Sequence, residues 1–198
     1  MFPIVGFRVF VLQLPGAGHM IMIMQAAITD LFDGARRIDL VAGDTLFHAG
    51  QTVSLVFLVS SGQVHLRRHT EQGQMLVLQN AGPGTVLAEA SVYSARYHCD
   101  AVAAGNAAVA ALGRHDFLGA LKNDNRLAEA WAATLARSVQ AARVRAEIRS
   151  LPRVTDRLDA WLSEGNILPA KGGWQDLAAE LGVTREALYR ELARRRGT

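Results

Sequence analysis

The chain has 198 residues, half of them apolar, with a formal net charge of +3 and a sequence pI near 9.5. That length suits one large or two small domains with a substantial core, and so small a charge excess does not by itself indicate nucleic acid. Cys99 is the only cysteine, which excludes an intrachain disulfide and any four-cysteine iron–sulfur or zinc site within one subunit, and fits a reducing cytoplasm.

Residues 1–24 are apolar but irregular. Met20, Ile21, Met22, Ile23 and Met24 form a short greasy run, and Arg8, Pro15, Gly16, Gly18 and His19 interrupt the segment. It offers no uninterrupted stretch of about 20 apolar residues for a membrane helix, and its order of features does not suit a signal peptide. A loosely attached extension, or an artefact of start-site choice, is favoured over a functional anchor. The expected location is cytoplasmic, with no membrane partner.

From about Ile38 to Leu112 the pattern changes to short β-like runs. DTLFHAG (44–50), SLVFLVSSG (54–62), QVHLRRHT (63–70) and MLVLQNAGPG (75–84) end in turn chemistry, with Gly43, Gly50, Gly62, Gly73, Gly82 and Gly84 at the corners. Val64, Leu66 and Arg68 alternate with His65, Arg67 and His69, as in a half-buried strand. CDAVAAGNAAVAAL (99–112) predicts two more strands around Gly105 and Asn106. Short strands repeated at this spacing indicate a barrel, roll or sandwich.

Helix follows. Asp116–Leu121 reads as a short one, and Asn125–Ser150 contains neither proline nor glycine. Leu127, Trp131, Thr134 or Leu135, Ser138, Ala141 or Ala142, Arg145 and Ile148 approximate a heptad seam. Its small side chains suit packing against the roll as well as against a second subunit. Pro152 breaks the chain, Val154–Leu162 is amphipathic, and NILPAKGG (166–173) is a loop.

WQDLAAELGVTREALYRELARRR (174–196) reads as helix, turn and helix. Leu177, Ala178 and Leu181 recur at helical spacing, and Gly182 suits the left-handed turn that stops the first helix. Thr184 can cap the second helix, with Glu186 in its positive first turn. Leu188 and Leu192 face inward, leaving Arg185, Glu186, Tyr189 and Arg190 outside. That is the anatomy of a helix-turn-helix whose second helix enters the DNA major groove. Arginine can bond guanine O6 and N7 together, and glutamate can accept from cytosine N4. From Thr184 onward five arginines stand against two glutamates, as much net charge as the whole chain carries. Arg194, Arg195 and Arg196 are expected to touch phosphates or nothing. The bland alternative is a helical hairpin with solvated charges.

From about Ile28 to Arg196 this order of parts resembles the cyclic-AMP receptor protein / fumarate–nitrate regulator (CRP/FNR) family of bacterial transcription factors. The carrying residues are Gly43, Gly50, Gly62, Gly73 and Gly84 in the roll and the Arg185–Glu186–x–x–x–Arg190 set. The resemblance implies an α+β fold: a cyclic-nucleotide-binding-type β-roll sensor (25–124), a long dimerisation helix (125–150) and a C-terminal helix-turn-helix (151–198), after the extension 1–24. It implies a homodimer on an inverted-repeat operator in double-stranded DNA, with RNA polymerase as a further partner. The residues implied for DNA are Thr184, Arg185, Glu186, Tyr189, Arg190 and Arg194.

The chain also departs from that family. Nucleotide-binding members carry Gly-Glu and, about ten residues on, Arg-Ser; here Glu89 is kept, Ala88 replaces the glycine, and His98 and Cys99 stand near the Arg-Ser place. A cyclic phosphate needs a cation or a nest of backbone N–H groups. Arg96 is the nearby substitute. Ala141 and Ala142 stand where a polar pair meets the adenine ring. These changes argue against cyclic AMP as effector and leave Glu89, Arg96, His98 and Cys99 as candidate residues for another. The cysteine cluster of the oxygen-sensing branch is absent. The chain stops at Thr198, where relatives usually continue into a wing, so a truncated winged helix is expected. Glu191 stands where an apolar residue is common, which suggests a recognition helix slightly rotated on its core.

His65 and His69 share a strand face but lack the His-x-His spacing of cupin-like metal enzymes, and Cys99 beside His98 reads as a redox-sensitive thiol or a buried small hydrophobe. No Ser-His-Asp order, paired-carboxylate motif or phosphate-binding glycine loop stands out, so neither catalysis nor a metal site is expected. The alternative to a regulator is a cyclic-nucleotide or small-molecule-binding module with a vestigial DNA-binding domain.

Overall fold

The computed structural model describes residues 26–196 except Gln74, so the expectation for residues 1–24 lies outside the described residues. Two four-stranded antiparallel sheets form the roll. One runs β1 (Arg36–Leu40), β8 (Ala107–Gly113), β3 (Leu55–Ser61), β6 (Val86–Leu87); the other runs β2 (Thr45–Phe47), β7 (Asp100–Ala103), β4 (Val64–His69), β5 (Met75–Ala81). The glycine-bounded runs thus give β2, β3, β4, β5, β7 and β8. The sequence pattern did not announce β1 or β6. β1 is RRIDL, mostly exposed, and is held by its pairing with β8.

Between the sheets lies a core in which Val59, Val64, Ala101 and Val109 are fully buried. Small residues on β7 and β8 leave room for aromatic stacking. Phe47 lies 5.7 Å from Phe57 and 3.8 Å from Tyr97, ring centre to ring centre. The Tyr97 hydroxyl donates to the Leu55 carbonyl at 2.7 Å, satisfying its buried polar end. Gly62 turns the β3–β4 corner at φ +74°, where a Cβ would strike the Asn106 carbonyl.

Five helices surround or follow the roll after a short helical segment, α1 (26–30): α2 (Arg114–Asn123), α3 (Asn125–Ser150), α4 (Val154–Ser163), α5 (Trp174–Leu181) and α6 (Arg185–Arg196). Asp124 caps α3 by accepting from the Arg126 and Leu127 amides at 2.8 and 3.4 Å. The expected seam on α3 is used inside the subunit. Leu127, Trp131 and Leu135 pack on Phe117, Phe32 and the outer face of the first sheet. Phe117 meets Trp131 edge-on at 4.9 Å. Ser138 also turns to the roll, and Ile148 enters a third core with Leu158, Leu177, Leu181, Leu188 and Leu192. Of the two partners the seam suited, it takes the roll. The neighbouring face of α3, with Ala132, Ala136, Val139, Arg143 and Ala146, is exposed to solvent, and Val139 and Ala146 also reach the rim of the cavity described below.

Ala88 is the one non-glycine residue at positive φ among those described, at φ +50° and ψ +45°. It leads into the 3₁₀ turn Glu89–Tyr93 and is 6% exposed. The left-handed conformation brings an alanine Cβ against the following carbonyl, a strain of about 1–2 kcal/mol that glycine avoids. Glycine also loses more chain entropy on folding, by roughly 0.5–1 kcal/mol. Ala88→Gly should therefore raise stability by roughly 0.5–1 kcal/mol, read as a higher urea midpoint at unchanged slope. A lower midpoint would contradict the strain.

Candidate nucleic-acid interface and effector cavity

The turn between α5 and α6 follows from its sequence. Gly182 sits at φ +65°, and the Val183 amide donates to the Ala178 carbonyl at 2.9 Å, closing α5. Thr184 Oγ1 accepts from the Ala187 amide at 3.2 Å and caps α6. Leu188 is fully buried and Leu192 is 3% exposed, so α6 is fixed in rotation about its axis. Arg185, Glu186 and Arg190 are exposed on one edge.

Tyr189, expected outside, is half-buried. Its ring meets Trp174 edge-on at 4.9 Å, and the Arg185 guanidinium lies 5.1 Å above it. The Tyr189 ring thus packs between Trp174 and the Arg185 guanidinium. The terminal arginines also differ from expectation. Arg195 donates to Glu191 at 2.6 Å and Asp159 at 2.7 Å, binding α6 to α4. Arg194 donates to both Glu191 oxygens at 2.8 and 3.0 Å, yet its side chain remains 61% exposed. The Arg196 guanidinium lies 4.9 Å over Trp174. Glu191, 8% exposed, lies in the packed side of α6 with its charge neutralised in place. The hydrogen bonds from Arg194, then Arg195, hold its carboxyl down to about 2.

A cavity of about 730 Å³ lies between the roll and α3. Glu89, His98 and Cys99 line it, as the sequence anticipated. Ser138 of α3 donates a short hydrogen bond to Glu89 Oε1, and Ser94 pairs with His98 at 3.1 Å. Burial pushes the Cys99 thiol up to about 11, so it stays protonated and the redox-thiol reading gives way to a small buried hydrophobe. Arg96 is misplaced for the role proposed for it. It lies outside this lining, and its guanidinium donates to the Gly50 carbonyl at 2.6 Å. The cavity's cations come instead from α3, through Arg145 and Arg149, which sequence reasoning did not nominate. Burial lowers the pKa of both. Arg145 at a seam position was the available signal, since an arginine on the inward stripe of a helix needs a buried partner. Ala142 also lines the cavity.

No group of three or more His, Cys, Asp or Glu among the described residues could hold a metal ion. No described helix is long and apolar enough to cross a membrane. A cyclic nucleotide-binding domain family matches residues 37–124. The chain is 29% identical over 157 residues to the cyclic AMP receptor protein of Thermus thermophilus, covering 76% of this chain and 72% of that one. It is similar to the c-di-GMP-responsive global regulator of Xanthomonas campestris, with a TM-score of 0.71 at 20% identity, over 87% of this chain and 91% of that one. A CRP/FNR-family transcriptional regulator of Thermus thermophilus gives a TM-score of 0.63 at 24% identity, over 81% and 87%.

The Glu191 geometry carries a pH signature. Its carboxyl is depressed from an ordinary 4.5 to about 2, so its contribution to stability is full above about pH 4.5 and is lost as pH falls toward 2. Glu191→Gln should cost roughly 1–2 kcal/mol near pH 7, a charged hydrogen-bond loss discounted for the open Arg194 side. The gap between variant and wild type should narrow between pH 5 and pH 3 in thermal melts. A gap constant with pH would show that the ion pairs do not stabilise α6.

Proposed function

We propose that this chain, a member of the CRP/FNR family of transcription regulators, acts as a homodimer that reads an inverted-repeat operator through α6. The observation that carries this reading is the single exposed edge of α6. Arg185, Glu186 and Arg190 are exposed on it while Leu188 and Leu192 are buried and anchor the helix. Arg185 and Arg190 are assigned to guanines and Glu186 to a cytosine. Arg194, with its exposed side chain, and the capping Thr184 are assigned to the phosphate backbone. Arg195 and Tyr189 are assigned to holding the reader in shape.

The second copy is assigned to the solvent-open face of α3. Val139 is 50% exposed there, and small side chains flank it, allowing two helices to approach closely. In this reading an effector occupies the cavity behind the same helix. Glu89 and Ser138 supply its polar contacts, and Arg145 and Arg149 its positive charge. Cyclic AMP fits poorly, because no arginine of the roll stands in that lining.

Two measurements test the reading. Selection from random duplexes should return an inverted repeat with half-site centres about one helical turn, roughly 34 Å, apart. Arg185→Ala should relax one base position per half-site at a cost of about 1–3 kcal/mol. A module with a vestigial DNA-binding domain would return no motif. In sedimentation at micromolar concentration, Val139→Glu should shift dimer toward monomer with an unchanged melting temperature. Leu135→Glu should instead lower the melting temperature, since that side chain belongs to the subunit's own core. The reverse pattern would place the dimer on the other face.

A further inference from the structure

The β4–β5 hairpin meets the first helix of the DNA-reading unit in a cleft of about 470 Å³, lined in part by Asn80, Trp161, Asp176 and Glu180. His65 also lines it and is only 2% exposed, although its strand position suggested a solvated residue. Arg67 Nη2 lies 3.1 Å from His65 Nδ1. Arginine can only donate, so Nδ1 accepts, and the ring is neutral with its proton on Nε2. From α5, Asp176 Oδ1 lies 3.6 Å from both His65 Nδ1 and Arg67 Nη2. Asn80 of β5 hydrogen-bonds the ring, and Glu180 is the second carboxylate whose charge reaches it. Alongside, Arg149 of α3 donates to the Glu180 carbonyl at 2.8 Å and to the Val77 carbonyl. Roll, long helix and reader are therefore tied together at one place.

A proton on Nδ1 removes the acceptor that Arg67 uses. Two N–H donors and two cations would then face each other in a buried site. Asp176 opposes this, but it is 37% exposed and would serve both cations. Arg67 Nε is already buried without a hydrogen-bond partner, so its guanidinium gains by moving into water. Opening the cleft relieves both problems.

We propose that the His65–Arg67–Asp176 contact is an acid-labile latch holding the helix-turn-helix against the β-roll, and that a proton taken by His65 releases it. The direction follows from proton counting. Burial, the largest influence, lowers the pKa of His65 below its ordinary 6.5, despite the Asp176 and Glu180 carboxylates and with Arg67 adding to the lowering. The closed form therefore binds fewer protons than the open one. The contact is at full strength above about pH 6.5 and weakens as pH falls from there toward the lowered value. Release frees the direction in which α6 points relative to α3. The latch does not depend on which operator or effector is read.

The three tryptophans supply the test, on the full chain labelled with 5-fluorotryptophan. Trp161 lines the cleft and donates to Glu180 at 3.0 Å, while Trp131 is buried between α3 and the roll. Between pH 8 and pH 5.5, above the ordinary carboxylate range, the Trp161 fluorine resonance should move while that of Trp131 stays. X-ray scattering should give a larger radius of gyration over the same interval. Asp176→Asn should place the Trp161 resonance at its acid position already at pH 8. His65→Gln keeps a neutral acceptor and should abolish the pH response. If that variant fails to fold, seen as a collapsed Trp131 resonance, Asp176→Asn decides by its position at pH 8. A wild-type Trp161 resonance that does not move would overturn the latch. So would an equal movement in folded His65→Gln, or Asp176→Asn at the wild-type neutral position.

Discussion

Helix α3 has only one large apolar stripe, and the subunit uses it on itself. Trp131 is 2% exposed between α2 and the first sheet, and Leu127 and Leu135 flank it. A buried tryptophan of this kind is worth several kcal/mol, since truncation to alanine costs about 3–5. Much else follows from that commitment. The helix is fixed against the roll, so the cavity behind it has a defined second wall. Its far end delivers Ile148 into the core beneath α5 and α6. The small-residue face beside that stripe stays exposed to solvent. One helix thus touches the roll, the cavity and the helix-turn-helix.

The roll was legible because glycine corners and short apolar runs report local conformation directly. Six of the eight strands among the described residues lie in the runs that the sequence marked. β1 was not legible, since RRIDL carries no alternation and owes its strand to β8. The two-residue β6 is too short for any period to show. The helix-turn-helix was legible almost residue by residue, because Gly182, Thr184, Leu188 and Leu192 each act locally. What the sequence could not give was partnership at a distance. His65 and Asp176 are 111 positions apart, and neither alone indicates the other. Periodicity placed the α3 seam correctly on one face but could not say what covers it.

The cavity illustrates the same limit in electrostatic terms. Position along the chain suggested that Arg96 could stand in for a missing phosphate partner. In three dimensions it satisfies the Gly50 carbonyl instead. Positive charge reaches the cavity from α3, on residues whose burial disfavours their charged form. Against them the lining carries one carboxylate, Glu89, already accepting from Ser138. Two desolvated guanidiniums facing one engaged carboxylate make an electropositive wall. Such a wall belongs to the helix rather than the roll, so an anion drawn to it would act on α3 itself. Arg149 is the point of contact, because the same guanidinium holds the Glu180 carbonyl of α5.

That geometry separates the two kinds of arginine near the reader. Arg185 and Arg190 are exposed on α6, with no carboxylate partner in the subunit's ion pairs among the described residues. Arg149, Arg157 and Arg195 are spent on carbonyls and carboxylates inside the subunit: Arg157 holds the Leu181 and Gly182 carbonyls at 3.1 and 2.9 Å, and Arg195 holds Glu191 and Asp159. Counting basic residues therefore overstates the charge left open on this surface. Guanidiniums committed to carboxylates release few counterions when a phosphate approaches. Within the last helix the arginines divide the same way: Arg195 ties α6 to α4 through Glu191 and Asp159, while Arg185 and Arg190 stay exposed.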